Sequence, residues 1–135
     1  MTEAQAIGLT ITLDDDFESA LTKVTEALKT EGFGILTEID VKATLKKKLD
    51  EEFRPYRILG ACNPPLAHQA LNANPDVGLL LPCNVTVDQV APGRVKVSLL
   101  NPMVMVDNFS EPALKEVATE ATARLERVAN MLEGK

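Results

Sequence analysis

Residues 7–32 read IGLTITLDDDFESALTKVTEALKTEG, and the fold turns on this stretch. Ile7, Leu9, Ile11 and Leu13 alternate with Gly8, Thr10 and Thr12, the two-residue period of a half-buried strand. Asp14, Asp15 and Asp16 stop it. Asp15 and Glu18 have the spacing of a capping box. Phe17, Leu21, Val24 and Leu28 then recur on one helical face, up to Gly32, a residue suited to a left-handed helix end. A strand that runs straight into a long amphipathic helix needs a sheet to join, and the helix needs a face of that sheet to cover.

Phe33, Ile35, Thr37 and Ile39 alternate as a second strand. Asp40 has the chemistry of an N-cap for a further helix, with Val41, Leu45, Leu49 and Phe53 on one side. Tyr56–Cys62 reads as a third strand. Asn63 and Pro64 start a short helix with Leu66, Ala67, Ala70 and Leu71 on its apolar side, and Asn74-Pro75 closes it. The fourth strand is expected over Val77–Val87, with Leu79, Leu81, Cys83, Val85 and Val87 on one face. After the Ala91-Pro92-Gly93 turn, Arg94–Leu100 is a fifth strand with Val95, Val97 and Leu99 inward. Met103–Val106 extends it as an edge strand or turns back as a loop. Ser110 is expected to cap the last helix, which has Pro112 in its first turn and an apolar stripe from Leu114 to Leu132. The fold class is therefore α+β: a mostly antiparallel sheet with two long helices packed on one face and short helices inserted, in a single domain over residues 1–135.

Composition excludes several function classes. The chain has 135 residues, 45% of them apolar and 25% charged, the balance of an ordinary globular domain. Twenty acidic against fourteen basic residues give a net charge of −6. Nucleic acid and anionic membrane are poor partners for such a body. Its basic cluster, Lys46-Lys47-Lys48, is followed at once by Asp50, Glu51 and Glu52, and reads as a solvated helix face with pairs such as Lys46 with Asp50. No apolar run approaches the ~20 residues that a spanning helix needs. The first residues have neither the basic nor the apolar region of a secretory signal, so a cytoplasmic location is expected. Two cysteines then imply free thiols in a reducing compartment.

Those cysteines carry the chemistry on offer. Gly60-Ala61-Cys62-Asn63-Pro64-Pro65-Leu66-Ala67-His68 and Leu80-Leu81-Pro82-Cys83-Asn84 each hold a Cys followed by Asn and bracketed by Pro. Cys62 precedes a helix N-terminus, whose dipole favours a thiolate. Pro64 and Pro65 remove two of the free N–H donors there and blunt the effect. Cys83 alternates with Leu81 and Val85 and points with the core, where a thiol is inert. His68 is the one histidine and falls off the apolar stripe of its helix. It could serve Cys62 as a base, although the spacing matches no nucleophile–base signature. Nor does Cys62, His68, Cys83 match a zinc site, so no metal and no cofactor is expected. No phosphate-binding glycine motif is present, and Gly32-Phe33-Gly34 runs from helix into strand, the wrong direction for a phosphate cradle. Met103 and Met105 form an adaptable apolar segment, either core, pocket wall or subunit interface.

Taken together, these pieces resemble the bacterial and archaeal family known as domain of unknown function 302. The residues that carry the resemblance are Phe17 with its helix, Glu31-Gly32-Phe33-Gly34, Tyr56 to Pro64, Leu66-Ala67-His68, Gly78 to Asn84 and Asn101-Pro102-Met103. The Cys-Asn-Pro and Leu-Pro-Cys-Asn elements in this order are its specific part. The resemblance implies a TATA-binding-protein-like fold, strand-helix-four strands-helix, and a small protein that self-associates. It supplies no activity and no catalytic residues, and a shared fold does not imply DNA binding.

The reading that follows is a self-associating binding module, a homodimer with a cleft near Cys62 and Cys83 for a small apolar ligand. Its candidate residues are Cys62, Asn63, Pro64, His68, Pro82, Cys83, Asn84 and Met103. The alternative is a thiol-based redox or sensor protein using Cys62, with Cys83 resolving. A third reading is a purely structural partner that pairs through an edge strand. The sequence leaves open whether the protein is an enzyme.

Overall fold

The computed structural model describes residues 7–134; residues 1–6 and 135 of the expected single domain lie outside the described residues. The elements run β1 (Gly8–Leu13), α1 (Phe17–Thr30), β2 (Gly34–Asp40), α2 (Val41–Leu49), β3 (Tyr56–Cys62), α3 (Pro64–Ala73), a 3₁₀ segment (Pro75–Leu80), β4 (Cys83–Ala91), β5 (Arg94–Leu100), α4 (Val104–Asn108) and α5 (Pro112–Leu132). The five strands lie in the order β1-β5-β4-β3-β2, and every neighbouring pair is antiparallel. With the short helices set aside, the order is strand, helix, four strands, helix, in agreement with the α+β expectation.

Register decides which residues meet. Leu59 pairs with Val85, Val85 with Leu99, and Val87 with Val97, so their side chains line one face of the sheet. On that face lie α1, through Ala20, Val24 and Leu28, and the second half of α5, through Leu125 and Val128. Full burial of a leucine such as Leu28, Leu99 or Leu125 contributes about 1.5–3 kcal/mol each, before the cost of ordering the chain. A second, smaller core lies beyond the end of the sheet, where α3, the 3₁₀ segment and α4 pack on the first half of α5 through Ala70, Val77, Met105, Leu114 and Val117. The 21 residues of α5 thus serve both cores in turn.

Caps and ends differ from the sequence expectation in places. Asp16, not Asp15, caps α1, accepting a hydrogen bond from the Ser19 amide at 2.8 Å. Gly32 ends that helix with φ +86°, a left-handed geometry that a side chain would strain. Asp40 caps α2 as expected, accepting from the Ala43 amide. At α5 the N-cap position belongs to Glu111, without a side-chain bond, so Ser110 does not cap it, and Pro112 supplies the pre-set first turn instead.

Three larger expectations are corrected. The fourth strand begins at Cys83, not Val77, because Asn74 accepts from the Asp76 amide and starts the 3₁₀ turn. Leu79, expected to face inward, is 88% exposed. Met103–Val106 forms no edge strand: the chain turns after Asn101, whose side chain accepts from the Met103 amide, and α4 follows. Finally, α2 has the expected apolar positions yet none of its residues is buried.

Candidate functional site

The boundary between the two cores is not fully packed. A cavity of about 30 Å³ sits there, lined by the end of β3 (Ala61, Cys62), the start and apolar side of α3 (Asn63, Leu66, Ala67, Ala70), Leu81-Pro82-Cys83, Pro102 and Met105, Phe33, and Val117 and Ala121 of α5. The wall contains no charged side chain. A void needs roughly 10–15 Å³ to hold one water, and an engineered cavity of about 150 Å³ holds benzene. The space therefore suits a group of methyl to ethyl size with the walls as they stand.

Local sequence explains how each wall is held. Asn63 is buried and caps α3, its Oδ1 accepting from the Leu66 amide at 3.3 Å. Its Nδ2 donates to the Glu31 carbonyl at 3.3 Å, the same oxygen that accepts from Arg124 Nη1 at 3.0 Å. Arg127 grips the Glu31 carboxylate with two bonds, which holds that carboxyl below the usual carboxylate range. One residue at the end of α1 thus ties α3 and α5 together beside the cavity. On the other side Pro82, joined to Leu81 by a cis peptide, lies over Gly60. A Cβ on Gly60 would stand 2.7 Å from the Pro82 ring and 2.2 Å from Thr37 Oγ1, so only glycine lets these elements close.

The two thiols share this wall and differ in setting. Ala61 pairs with Cys83, so Cys83 leaves the sheet on the core face and Cys62, one residue on, on the opposite face. Burial pushes the Cys83 thiol up to about 11, and the nearby Cys62 adds to the rise. Burial pushes Cys62 up as well. Desolvation is the cause of the rise at Cys62. Both groups are neutral thiols at pH 7 and behave as small apolar surface.

Of the eight residues singled out from sequence, Cys62, Asn63, Pro82 and Cys83 line the cavity. Pro64, His68, Asn84 and Met103 do not. His68 and Asn84 are exposed, and His68 is bonded to Asn72 at 3.2 Å rather than directed at a thiol. Met105 takes the wall position expected of Met103 because α4 turns the segment. Phe33, Pro102, Val117 and Ala121 were missed. Val117 and Ala121 were visible only as part of a helical stripe, and nothing in a single sequence shows which turn of that stripe borders a void. Among the described residues no group of three or more His, Cys, Asp or Glu stands close enough to hold a metal ion, and no helix is long and apolar enough to cross a membrane.

Outside the cavity, Asn63 and Leu66 also border an open groove of about 530 Å³ with Gln69, Glu116, Glu120 and Arg124. The apolar cavity therefore has a polar neighbour between α3 and α5.

Comparison with known proteins adds the following. The family described as "Domain of unknown function DUF302" matches residues 9–132. A crystal structure of an uncharacterized conserved DUF302 protein from Bacillus stearothermophilus is 32% identical and superposes with a TM-score of 0.81, covering 96% of this chain and 98% of that one. No curated protein matches the chain.

Proposed function

The chain belongs to the DUF302 family, which brings a fold and no activity, and from the geometry of its own site we propose that it is a binding module that takes a small apolar group into the cavity at the end of the sheet. The observation that carries this reading is the wall itself, apolar except for Asn63 and without a charged side chain, with both thiols held neutral. Preformed apolar hollows with a few polar groups at the mouth are the usual form of small-molecule sites. Here Asn63 stands at the mouth, and Gln69 and Arg124 lie in the adjoining groove. In this reading the protein is one domain, resides in the reducing cytoplasm with both thiols free, and self-associates as a homodimer.

Methyl-detected NMR with a dissolved small hydrocarbon, cyclopropane, tests the proposal. Shifts concentrated on Leu66, Leu81, Met105 and Val117 are expected. Shifts of equal size on exposed Leu49, Leu79 and Met131, or none at saturation, overturn it. The thiol-redox alternative gains no support from thiols whose ionisation is suppressed.

A further inference from the structure

The two outer strands of the sheet, β1 and β2, are guarded unequally. β2 carries a register shift between Ile35 and Thr37 and the charged Glu38 and Asp40, features that discourage further pairing. β1 reads Gly8-Leu9-Thr10-Ile11-Thr12-Leu13, without a charge, a proline or a register shift. The Ile7 carbonyl accepts from the Asn101 amide at 2.8 Å. In the antiparallel alternation Leu9, Ile11 and Leu13 therefore bond to β5, and the N–H and C=O groups of Gly8, Thr10 and Thr12 point away from it. Among the described residues nothing pairs with them. Along this edge runs an open groove of about 370 Å³, with Leu9, Ile11 and Ala129 as its apolar part and exposed Glu126, Asn130 and Glu133 of α5 at its rim. No basic residue lines it, and Glu126 has no ion-pair partner among the described residues. The groove is separate from the cavity, which α5 borders with Val117 and Ala121.

We propose that this groove takes an extended, basic peptide segment of a partner protein, which adds to β1 as a sixth strand. Main-chain bonds to Gly8, Thr10 and Thr12 supply the pairing, and side chains on the α5 side select the partner. Glu126 and Glu133 are two helical turns apart, roughly 10.5 Å along the axis. Residues i and i+4 of a strand share a face and lie roughly 13 Å apart. Two long basic side chains at that spacing reach both carboxylates, with a small apolar residue between them over Leu9 and Ala129. Charge disfavours a second copy of β1 in the same place. Residues 1–16 contain Glu3, Asp14, Asp15 and Asp16 and no Lys or Arg, so they bring nothing to complement the acidic rim.

The probe is the peptide acetyl-Thr-Lys-Thr-Val-Thr-Lys-Thr-amide, titrated into the full chain and followed by NMR. Amide hydrogen exchange at Thr10 and Thr12 should slow at least ~10-fold in the complex, while Leu9 and Ile11, already bonded to β5, should change little. E126K/E133K should weaken binding about 10-fold, less as salt rises. The same peptide with Glu in place of Lys should bind the unaltered chain more weakly by a similar factor. Thr10→Pro removes one outward N–H and leaves the bonds of Leu9 and Ile11 to β5, so with an unchanged circular dichroism spectrum it should abolish binding. If that variant does not fold, the charge reversals decide alone. No protection of Thr10 and Thr12 at millimolar peptide, or equal binding of the lysine and glutamate peptides, overturns the proposal. Protection of the same amides without peptide, rising with protein concentration, places a second copy on the edge and overturns it too.

Discussion

Replacing Cys83 by alanine tests the electrostatic character of the site. The unfolded thiol ionises near 9.0 and the folded one near 11. The folded state then holds its proton where the unfolded chain has lost it. The stabilisation associated with this thiol is complete below pH 9 and disappears as the pH rises towards 11. Two pH units amount to roughly 3 kcal/mol of differential stability. Urea unfolding of wild type and Cys83→Ala between pH 8 and 11 should show wild type losing about this much more than the variant. Both proteins carry Cys62→Ala in this comparison, because Cys62 adds to the rise at Cys83 and would not cancel between them. In the same range Cys83 should carry roughly 100-fold less thiolate at pH 8 than a free cysteine, so it should alkylate at least that much more slowly. Parallel loss of stability in the two proteins, or alkylation of Cys83 at the rate of free cysteine, would refute a thiol sealed in apolar surroundings.

Further outcomes follow from neighbouring contacts, each read by urea unfolding. Gly60→Ala drives a methyl into Thr37 Oγ1 and the Pro82 ring and should cost about 1–3 kcal/mol; Thr37→Ala in the same chain removes the closer clash and should recover part of it. Asn63→Ala loses both the α3 cap and the bond to Glu31 and should cost about 1–2 kcal/mol, while Asn63→Asp keeps the cap and falls between. Leu79→Ser should change stability by no more than about 0.5 kcal/mol, since the residue is exposed; a cost of several kcal/mol would mean that it packs inward.

Much of the fold was legible because alternation and helical stripes encode burial directly. Tyr56–Cys62 and Arg94–Leu100 are strands with the boundaries read from sequence, and Val95, Val97 and Leu99 face inward as their period required. Gly32 and Asp40 were legible because their chemistry is local. Failure came where local chemistry competed with pattern. Val77, Leu79 and Leu81 alternate like a strand, yet the cap from Asn74 and the Pro75 start take the chain into a 3₁₀ turn. Ser110 and Asp15 are good caps by type, and neighbours one residue away occupy the positions. In α2, the apolar stripe was real but lay at the margin of the sheet, which half-buries Val41 and Leu45 and leaves Leu49 exposed. The site divides in the same way. The Cys-Asn-Pro and Leu-Pro-Cys elements pointed to the right strand ends, because they are the joints where sheet gives way to α3 and the second core. The cavity's far wall, Met105 and Val117, depends on how α4 and α5 pack, which no spacing records.

The most direct measurement is a crystal of the protein under xenon pressure. A single xenon atom between Cys83, Leu66, Met105 and Val117, displaced when Val117→Phe fills the space, is the result predicted by a preformed apolar receptor at the end of the sheet. Xenon bound elsewhere, with that space empty at saturating pressure, would contradict it.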